Sequence, residues 1–138
     1  MSAVSTPLAP ARLAAELRVS LMRAVRRLRA EKSDSEITDG QYCVLAVLDR
    51  EGPLTLRQLA DHERVQPPSM TRTVNALCEA GLVQRSQDPD DGRQVFAALT
   101  ESARGHVRET RRRRDAWLAR RIADLTPSER AVLAEATD

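Results

Sequence analysis

Apolar residues recur every three or four positions along most of the chain. This spacing places them on one face of an α-helix and predicts a mainly helical protein. After a flexible tail at residues 1–10, the first helix is predicted over residues 11–32, with a length of about 30 Å at roughly 1.5 Å per residue. Its apolar face consists of Leu13, Leu17, Leu21, Val25 and Leu28. Arginines occupy most of the remaining surface, so this helix is amphipathic.

Three further helices are delimited by capping and stop residues. Thr38 with Gln41, and Thr55 with Gln58, each form a T-x-x-Q capping box, in which two side chains bond backbone N–H groups at a helix start. Pro67 suits the first turn of a helix because its nitrogen carries no hydrogen. The predicted helices are Asp39 to about Arg50, Leu56 to about Glu63, and Pro67 to Ala80, with stops at Gly52-Pro53 and Gly81.

Two short strands and two more helices follow. The strands are predicted over Leu82–Gln87 and Gln94–Leu99, joined by a tight turn at Asp88–Arg93. A long helix is predicted over residues 100–124 and a final one over residues 127–137, because Thr100 and Thr126-Pro127 are start signals. Two short helices followed by a hairpin predict a winged helix-turn-helix at about residues 38–99. The expected fold class is therefore mainly α with a small β-hairpin wing.

The first and fifth predicted helices, at residues 11–32 and 100–124, are candidates for a dimer interface. The first and fifth helices carry apolar stripes, and one chain has too little core to cover both. An exposed stripe of this kind usually marks a partner surface. We therefore expect a homodimer whose two recognition helices lie about one DNA turn apart, roughly 34 Å.

The charge distribution limits how the predicted winged motif could bind nucleic acid, because positive charge is not concentrated there. The chain has 22 basic and 20 acidic residues, and Lys32 is its only lysine. Residues 55–99 contain five arginines against six acidic residues. Any nucleic-acid contact there must come from individual arginines, whose planar guanidinium binds phosphate or guanine, and from helix ends. Aromatic residues are so few that the core must be built from Leu, Val and Ala; they are Tyr42, Phe96 and Trp117.

The helix predicted at Pro67–Ala80 is the candidate recognition element. If Met70, Val74 and Leu77 face inward, helical geometry turns five residues outward or sideways. They are Pro68, Ser69, Arg72, Asn75 and Ala76. The hydroxyls of Ser69 and Thr71, with free backbone N–H groups at the helix start, suit a phosphate. Arg72 suits guanine or phosphate; the alternative is a solvated charge or a salt bridge to Asp91.

The hairpin turn is the second candidate contact. Asp90 and Asp91 make its tip acidic, which disfavours phosphate unless an aspartate fixes Arg93 so that the arginine head enters the minor groove. The alternative is a turn stabilised by its own side chains. Arg57 and Arg85 are candidate contacts to the DNA backbone, or else ordinary surface charges.

These features together resemble the multiple antibiotic resistance regulator (MarR) family. The similar motifs are the L-x-x-L-A helix, the S-M-T-R start of the fourth helix, the L-x-x-x-G-L-V-x-R exit, the D-x-R wing and the L-T that opens a long helix. They cover about Gly40 to Ala103. The resemblance implies a homodimer that binds near-palindromic operator DNA, usually as a repressor and often released by a small ligand.

The resemblance also implies roles for individual residues. By this resemblance, the recognition helix would contact DNA through Pro68, Ser69, Thr71 and Arg72. The wing would contact DNA through Arg93, with Asp91 as the aspartate that supports this arginine. The first, fifth and sixth helices are similar to the family's dimerisation bundle.

Two aromatic residues and two cysteines are candidates for other roles. Tyr42 and Trp117 are candidate linings of a pocket for a small aromatic or lipophilic effector, between the bundle and the DNA-binding lobe; the alternative is core packing. Cys43 and Cys78 are expected to be buried and inert, with a cysteine-based redox-sensing regulator as the alternative. Since His62 and His106 are isolated in sequence, no metal site is expected.

Several other classes of function are disfavoured by the sequence. No phosphate loop, nucleophile elbow or H-E-x-x-H motif occurs, so neither an enzyme nor a cofactor is expected. The run Arg111–Arg114 spreads around a helix and is expected to be a solvated face. No stretch approaches the roughly 20 apolar residues of a membrane span. Residues 1–10 lack the apolar core of a signal peptide, so the cytoplasm is the expected location.

The sequence therefore predicts a dimeric, sequence-specific DNA-binding transcriptional regulator, expected to be a repressor released by a small molecule. The alternative is a helical protein-interaction module whose winged motif contacts protein. The near balance of charge over residues 55–99 favours that alternative.

Overall fold

The computed structural model describes residues 8–32 and 36–137 and is mainly helical, with a small antiparallel sheet. In chain order the elements are α1 (Pro10–Ala30), α2 (Asp39–Glu51), β1 (Leu54–Thr55), α3 (Leu56–Glu63), α4 (Pro67–Glu79), β2 (Val83–Gln87), β3 (Val95–Leu99), α5 (Glu101–Ala123) and α6 (Pro127–Glu135). The predicted fold class is confirmed, and every predicted helix and hairpin strand ends within two residues of its expected bounds. Residues 1–7, 33–35 and 138, which include most of the expected tail, lie outside the described residues.

The chain divides into two compact units, one formed by residues 32–116 and the other by residues 1–31 with 117–138. The first of these contains α2, α3, α4, the sheet and the larger part of α5, as far as Ala116, and it holds the hydrophobic core. Its largest fully buried side chains are Leu45, Leu59, Met70, Leu77, Val44, Val74 and Val107. The core is aliphatic, as the scarcity of aromatic residues predicted. The domain boundary at residues 11–138 stays a prediction.

The sheet has the strand order β1-β3-β2, with both pairs antiparallel. Along β2 and β3, Val83 pairs with Leu99 and Arg85 with Ala97, and all of these except Arg85 are buried. Strand β1 is the element that the sequence pattern does not predict. It has two residues, too few for alternation between apolar and polar positions to be visible.

Both predicted capping boxes are formed. Thr38 Oγ1 accepts the Gln41 backbone N–H at 3.1 Å, and Gln41 Oε1 accepts that of Thr38 at 2.9 Å. Thr55 and Gln58 bond in the same way at 3.2 and 2.9 Å. Thr55 is both the last residue of β1 and the N-cap of α3, so α3 begins directly at the end of the strand and its start is fixed against the sheet.

The other unit leaves its apolar surface open within one chain. Neither α1 nor α6 has a buried residue. Leu13, Leu17 and Leu21, three members of the stripe predicted from the sequence, are 50, 52 and 54% exposed. An apolar stripe exposed to this extent along a 21-residue helix is a surface suited to a partner.

Candidate nucleic-acid interface

Helix α4 has one buried and one exposed face, as its pattern predicts. Met70, Val74 and Leu77 are at most 2% exposed and belong to the core. Four of the expected contact residues are exposed, and the other two, Ser69 and Ala76, are half-buried at the flanks. The exposed four are Pro68, Thr71, Arg72 and Asn75. The structure therefore keeps all six outside the core on one short helix.

The start of α4 differs from the expectation of free backbone N–H groups. Pro67 and Pro68 occupy the first two positions of the helix and have no N–H to offer. The next two backbone donors are used within the chain, because Ser69 N and Met70 N both donate to Gln66 O, at 3.0 and 3.2 Å. The predicted phosphate site made of backbone N–H groups is thus wrong for residues 67–70. Side chains must supply the donors on this face.

The hydroxyl of Thr71 is also committed within the helix. Its Oγ1 donates to Pro67 O at 3.0 Å, and a hydroxyl has a single hydrogen to give. In this rotamer Thr71 cannot donate to a phosphate. The threonine methyl is the kind of group that packs against the methyl of thymine.

Arg72 is exposed and takes part in none of the ion pairs found among residues 8–32 and 36–137. The alternative of a salt bridge to Asp91 is therefore not formed. An exposed guanidinium on the outward face of a helix, with its neighbours Pro68 and Asn75 beside it, is available to phosphate or to a base edge.

The hairpin tip is held together by its own backbone and acidic side chains. Asp88 N donates to Gln94 O at 3.0 Å, Gln94 N donates to Asp91 O at 3.0 Å, and Asp90 N donates to Asp88 Oδ1 at 2.9 Å. Asp91 Oδ1 accepts the backbone N–H of Arg93 at 3.0 Å. Asp91 thus supports Arg93 through the main chain, and the Arg93 side chain is exposed.

A surface groove of about 540 Å³ brings together two of the expected contact residues. Arg57, at the start of α3, and Arg93, just before β3, both line it. The remaining lining residues are Thr55, Leu56, Gln58, Gln94, Val95 and Phe96. The pairing of β1 with β3 explains this proximity, because it places the start of α3 beside the root of the wing. The sequence pattern does not reveal the two-residue strand β1, and so it does not predict the groove.

Arg85, the other expected backbone contact, is bonded to a residue of α4. Its guanidinium donates to the side-chain oxygen of Asn75. A guanidinium has five N–H donors, so this bond leaves others for a phosphate. The signal in the sequence is the alternation along β2: Arg85 lies two residues after the buried Val83 and so shares its face of the sheet.

The arginine run of α5 is engaged within the chain. Arg111 pairs with Asp49 at 3.0 Å, and the guanidinium of Arg114 lies 4.3 Å from the centre of the Tyr42 ring. Hydrogen bonds from Arg112 and then Arg113 lower the pKa of Glu109 to about 2. These contacts fit the predicted solvated face and leave α4 and the wing as the candidate interface.

The cysteines, the histidines and two of the aromatic residues are not among the expected DNA contacts. Cys43 and Cys78 are half-buried, which differs from the full burial expected. His62 is exposed and His106 half-buried, and no three potential ligands cluster in the described part of the chain. Tyr42 and Trp117 are half-buried in different units, so the effector pocket stays a prediction.

Within the described ranges, no helix combines the length and apolar character needed to cross a membrane.

Comparison with known proteins adds independent information. The model of the MarR family matches residues 37–95. The chain is 44% identical to an uncharacterized HTH-type transcriptional regulator of Mycobacterium bovis, Mb0904, over 93% of this chain and 90% of that protein. It is 26% identical to the HTH-type transcriptional repressor MdtR of Bacillus subtilis, over 85% of this chain and 78% of that protein. The crystal structure of RV1404 from Mycobacterium tuberculosis superimposes with a TM-score of 0.85 at 29% identity, over 95% of this chain and 91% of that one.

The family match spans α2, α3, α4 and β2 and ends at the start of β3, so it coincides with the winged motif derived from the residues. The similarity to the Mycobacterium bovis regulator extends the relationship over nearly the whole chain. DNA binding is therefore favoured over a protein-interaction module. The chain belongs to the MarR family of DNA-binding transcriptional regulators.

Proposed function

We propose that this regulator binds a near-palindromic operator in double-stranded DNA as a homodimer and acts as a repressor. Helix α4 of each protomer enters a major groove and the wing reaches the adjacent minor groove. The observation that carries this proposal is the face of α4 opposite its buried residues, where Arg72 is exposed and takes part in none of the ion pairs of the described chain.

Specific residues have separate roles in this proposal. Arg72 reads guanine or clamps a phosphate, and Ser69, Asn75 and Ala76 flank it on the helix. Pro68 and Thr71 supply apolar contacts to the groove. Arg93 enters the minor groove, where the negative potential attracts a guanidinium.

Arg57 is the candidate backbone contact at the other side of the groove that Arg93 lines. A phosphate between these two arginines would meet two cations that are not neutralised by any ion pair of the described residues. The acidic residues of the hairpin tip are near Arg93 in sequence and would repel phosphate, so only a small number of contacts between this region and the DNA backbone is expected.

The dimer is supported by the open apolar surfaces of α1 and α6. Leu13, Leu17 and Leu21 of α1 expose about half of their surface. At α6, an open apolar cavity of about 450 Å³ is lined by Leu125, Val132, Leu133 and Ala136 among others. Burial of such surface is worth about 25 cal/mol per Å². A second copy of the chain would cover these surfaces and double the phosphate contacts, which supply much of the affinity for DNA.

A small aromatic or lipophilic molecule is proposed to release the DNA. The candidate contacts are Tyr42 and Trp117, each half-buried with a guanidinium over its ring, at 4.3 Å from Arg114 and 4.9 Å from Arg121 respectively. An effector shifts the equilibrium only if it binds the DNA-free state better than the DNA-bound state. Trp117 is the only tryptophan, so its fluorescence reports directly on ligands that bind beside it.

The repressor assignment is supported by the similarity to MdtR, a transcriptional repressor that matches 85% of this chain. As a regulator of transcription the protein would act in the cytoplasm, where bacterial DNA lies, and without catalytic activity or a cofactor.

The experiment that tests the proposed function is a titration of labelled duplexes from the gene's own upstream region, followed by fluorescence anisotropy at several salt concentrations. Arg72→Ala and Arg93→Ala are expected to weaken binding. Each is also expected to reduce the slope of log affinity against log salt concentration, by an amount that corresponds to about one to two phosphate contacts per dimer. Arg50→Ala is the control, because Arg50 is an exposed arginine on α2 paired with Glu51 at 2.8 Å. Full binding by both interface variants would overturn the site assignment.

A further inference from the structure

The bond between Arg85 and Asn75 joins the wing to the recognition helix. Arg85 lies on β2 and Asn75 on α4, ten residues apart in sequence, and the guanidinium donates to Asn75 Oδ1. Both side chains are exposed, so the bond is on the surface of the winged motif and outside its core.

The position of Arg85 follows from the alternation of β2. Val83 is 3% exposed and pairs with Leu99, whereas Arg85 pairs with Ala97, which is fully buried. The two β2 residues share the inner face of the sheet, and α4 packs against β2. As the strand leaves the core towards the wing, this inner face meets the side of α4, so Arg85 is exposed beside that helix although it shares the face of the buried Val83.

Asn75 lies where it would meet DNA. It follows Arg72 by three residues, so the two side chains are neighbours on the outward face of α4. An asparagine amide carries an acceptor, Oδ1, and a donor, Nδ2, and the two are exchanged by a half turn of the side chain. Asparagine usually reads adenine through both atoms, accepting from N6 and donating to N7.

Arg85 removes this ambiguity, because a guanidinium has donors and no acceptor. It can bond only the oxygen of the Asn75 amide, so Oδ1 turns towards the wing and Nδ2 turns away from it. The orientation of the Asn75 amide therefore follows both from the observed hydrogen bond and from the fact that Arg85 can only donate.

We propose that Arg85 is a positioning residue that sets the base preference of Asn75. With Oδ1 held by Arg85, Asn75 presents Nδ2 to the major groove as a donor to guanine O6, purine N7 or thymine O4. The paired contact to adenine is disfavoured because Oδ1 is turned towards Arg85 and away from the position beside adenine N6 that this contact needs. The proposal rests on the proposed function, in which α4 enters the major groove.

The competing role for Arg85 is direct contact with a phosphate, as expected from its sequence position. The two roles leave different signatures. Loss of a phosphate contact weakens binding by a similar factor for all sequences and reduces the salt dependence, whereas loss of a positioning contact changes the preference at one base pair.

The experiment is selection of bound duplexes from a random pool by the full-length wild type, Arg85→Ala, Arg85→Lys, Asn75→Ala and the double variant Asn75→Ala/Arg85→Ala. Arg50→Ala is the charge-matched control. Arg85→Ala is expected to change the preference at one base pair of each half-site by about fivefold in favour of adenine, the low end for a base contact. Arg85→Lys, which keeps a charged donor, is expected to retain the wild-type preference.

Asn75→Ala is expected to flatten the preference at that same base pair, and Arg85→Ala is expected to add no further change of preference in the Asn75→Ala background. An unchanged motif with uniformly weaker, less salt-dependent binding by Arg85→Ala would overturn the positioning role and leave the proposed function intact. Failure of the wild type to retain any duplex would overturn the proposed function, and this inference with it.

Discussion

Asp91 Oδ1 accepts the backbone N–H of Arg93 at 3.0 Å, so the aspartate at the wing tip orders the main chain that carries the arginine. This is a turn-stabilising bond of the kind that aspartate makes with the backbone two residues further on. The partner of the carboxylate is the main chain of Arg93, and this separates the role of the Asp91 charge from that of its oxygen.

Asp91→Ala should therefore weaken DNA binding indirectly, because the turn that presents Arg93 loses a hydrogen bond. Asp91→Asn keeps the accepting oxygen and is expected to bind close to the wild type. Fluorescence anisotropy of a selected duplex measures both. Equal losses in the two variants would instead indicate that the charge of Asp91 matters.

In an Arg93→Ala background, Asp91→Ala should cause little additional loss, because the side chain that the turn presents is already absent. The double variant is compared with both single variants in the same binding assay. Additive losses would contradict an action of Asp91 through Arg93.

Leu17→Asp should disrupt the dimer. Leu17 is 52% exposed on the open stripe of α1, and a carboxylate there would be buried against the second copy at considerable cost. Sedimentation equilibrium is expected to give about twice the chain mass of 15.3 kDa for the wild type and a monomer for the variant.

The matched control for this prediction is Ala15→Asp. Two residues along a helix correspond to a rotation of about 200°, so the exposed Ala15 faces away from the stripe. This variant adds the same charge to the same helix and should remain dimeric. Dissociation of both variants would indicate a general effect on α1.

Thr55→Ala should lower the free energy of unfolding by about 1 kcal/mol, the usual cost of losing an N-cap side chain. The variant removes the oxygen that accepts the Gln58 N–H at 3.2 Å at the start of α3. Urea unfolding at a fixed protein concentration measures the change. Thr55→Ser keeps the capping oxygen and is expected to retain most of the stability.

Glu109 should contribute a pH-dependent stability that is removed by Glu109→Gln. Hydrogen bonds from Arg112 and Arg113 lower its pKa in the folded protein to about 2 from 4.5. A lowered pKa in the folded state stabilises the protein above pH 4.5, and this stabilisation is lost as the pH falls towards 2. Because both arginines are exposed, added salt should weaken the two ion pairs.

Unfolding by urea between pH 2 and pH 5 measures this effect. The wild type should lose stability more steeply than Glu109→Gln as the pH falls through this interval, and the difference should shrink at high salt. Parallel curves for the two proteins would contradict the assignment of the shift to these arginines.

Much of the fold was predictable because local signals agreed with tertiary packing. The Thr55–Gln58 capping box marks the start of α3, and Pro67 marks the start of α4, within the chain's own sequence. The spacing of Met70, Val74 and Leu77 identifies the buried face of α4. These are short-range features, and each is formed as predicted.

The details of the interface depended on contacts between elements. The occupied backbone donors at Ser69 and Met70 are an exception, because both of their bonds to Gln66 O lie within the first turn of α4. The Arg57–Arg93 groove requires β1, whose two residues give no periodic signal. The bond from Arg85 to Asn75 requires the register of β2 against β3 and its packing on α4.

The central claim is that two copies of the chain present α4 to neighbouring major grooves of one duplex. Hydroxyl-radical footprinting of a selected duplex, combined with the mass of the complex by native mass spectrometry, tests it most directly. We expect two protomers per duplex and two protected half-sites about 10 base pairs apart. A complex of one protomer with a single protected site, or no complex at all, would contradict the account.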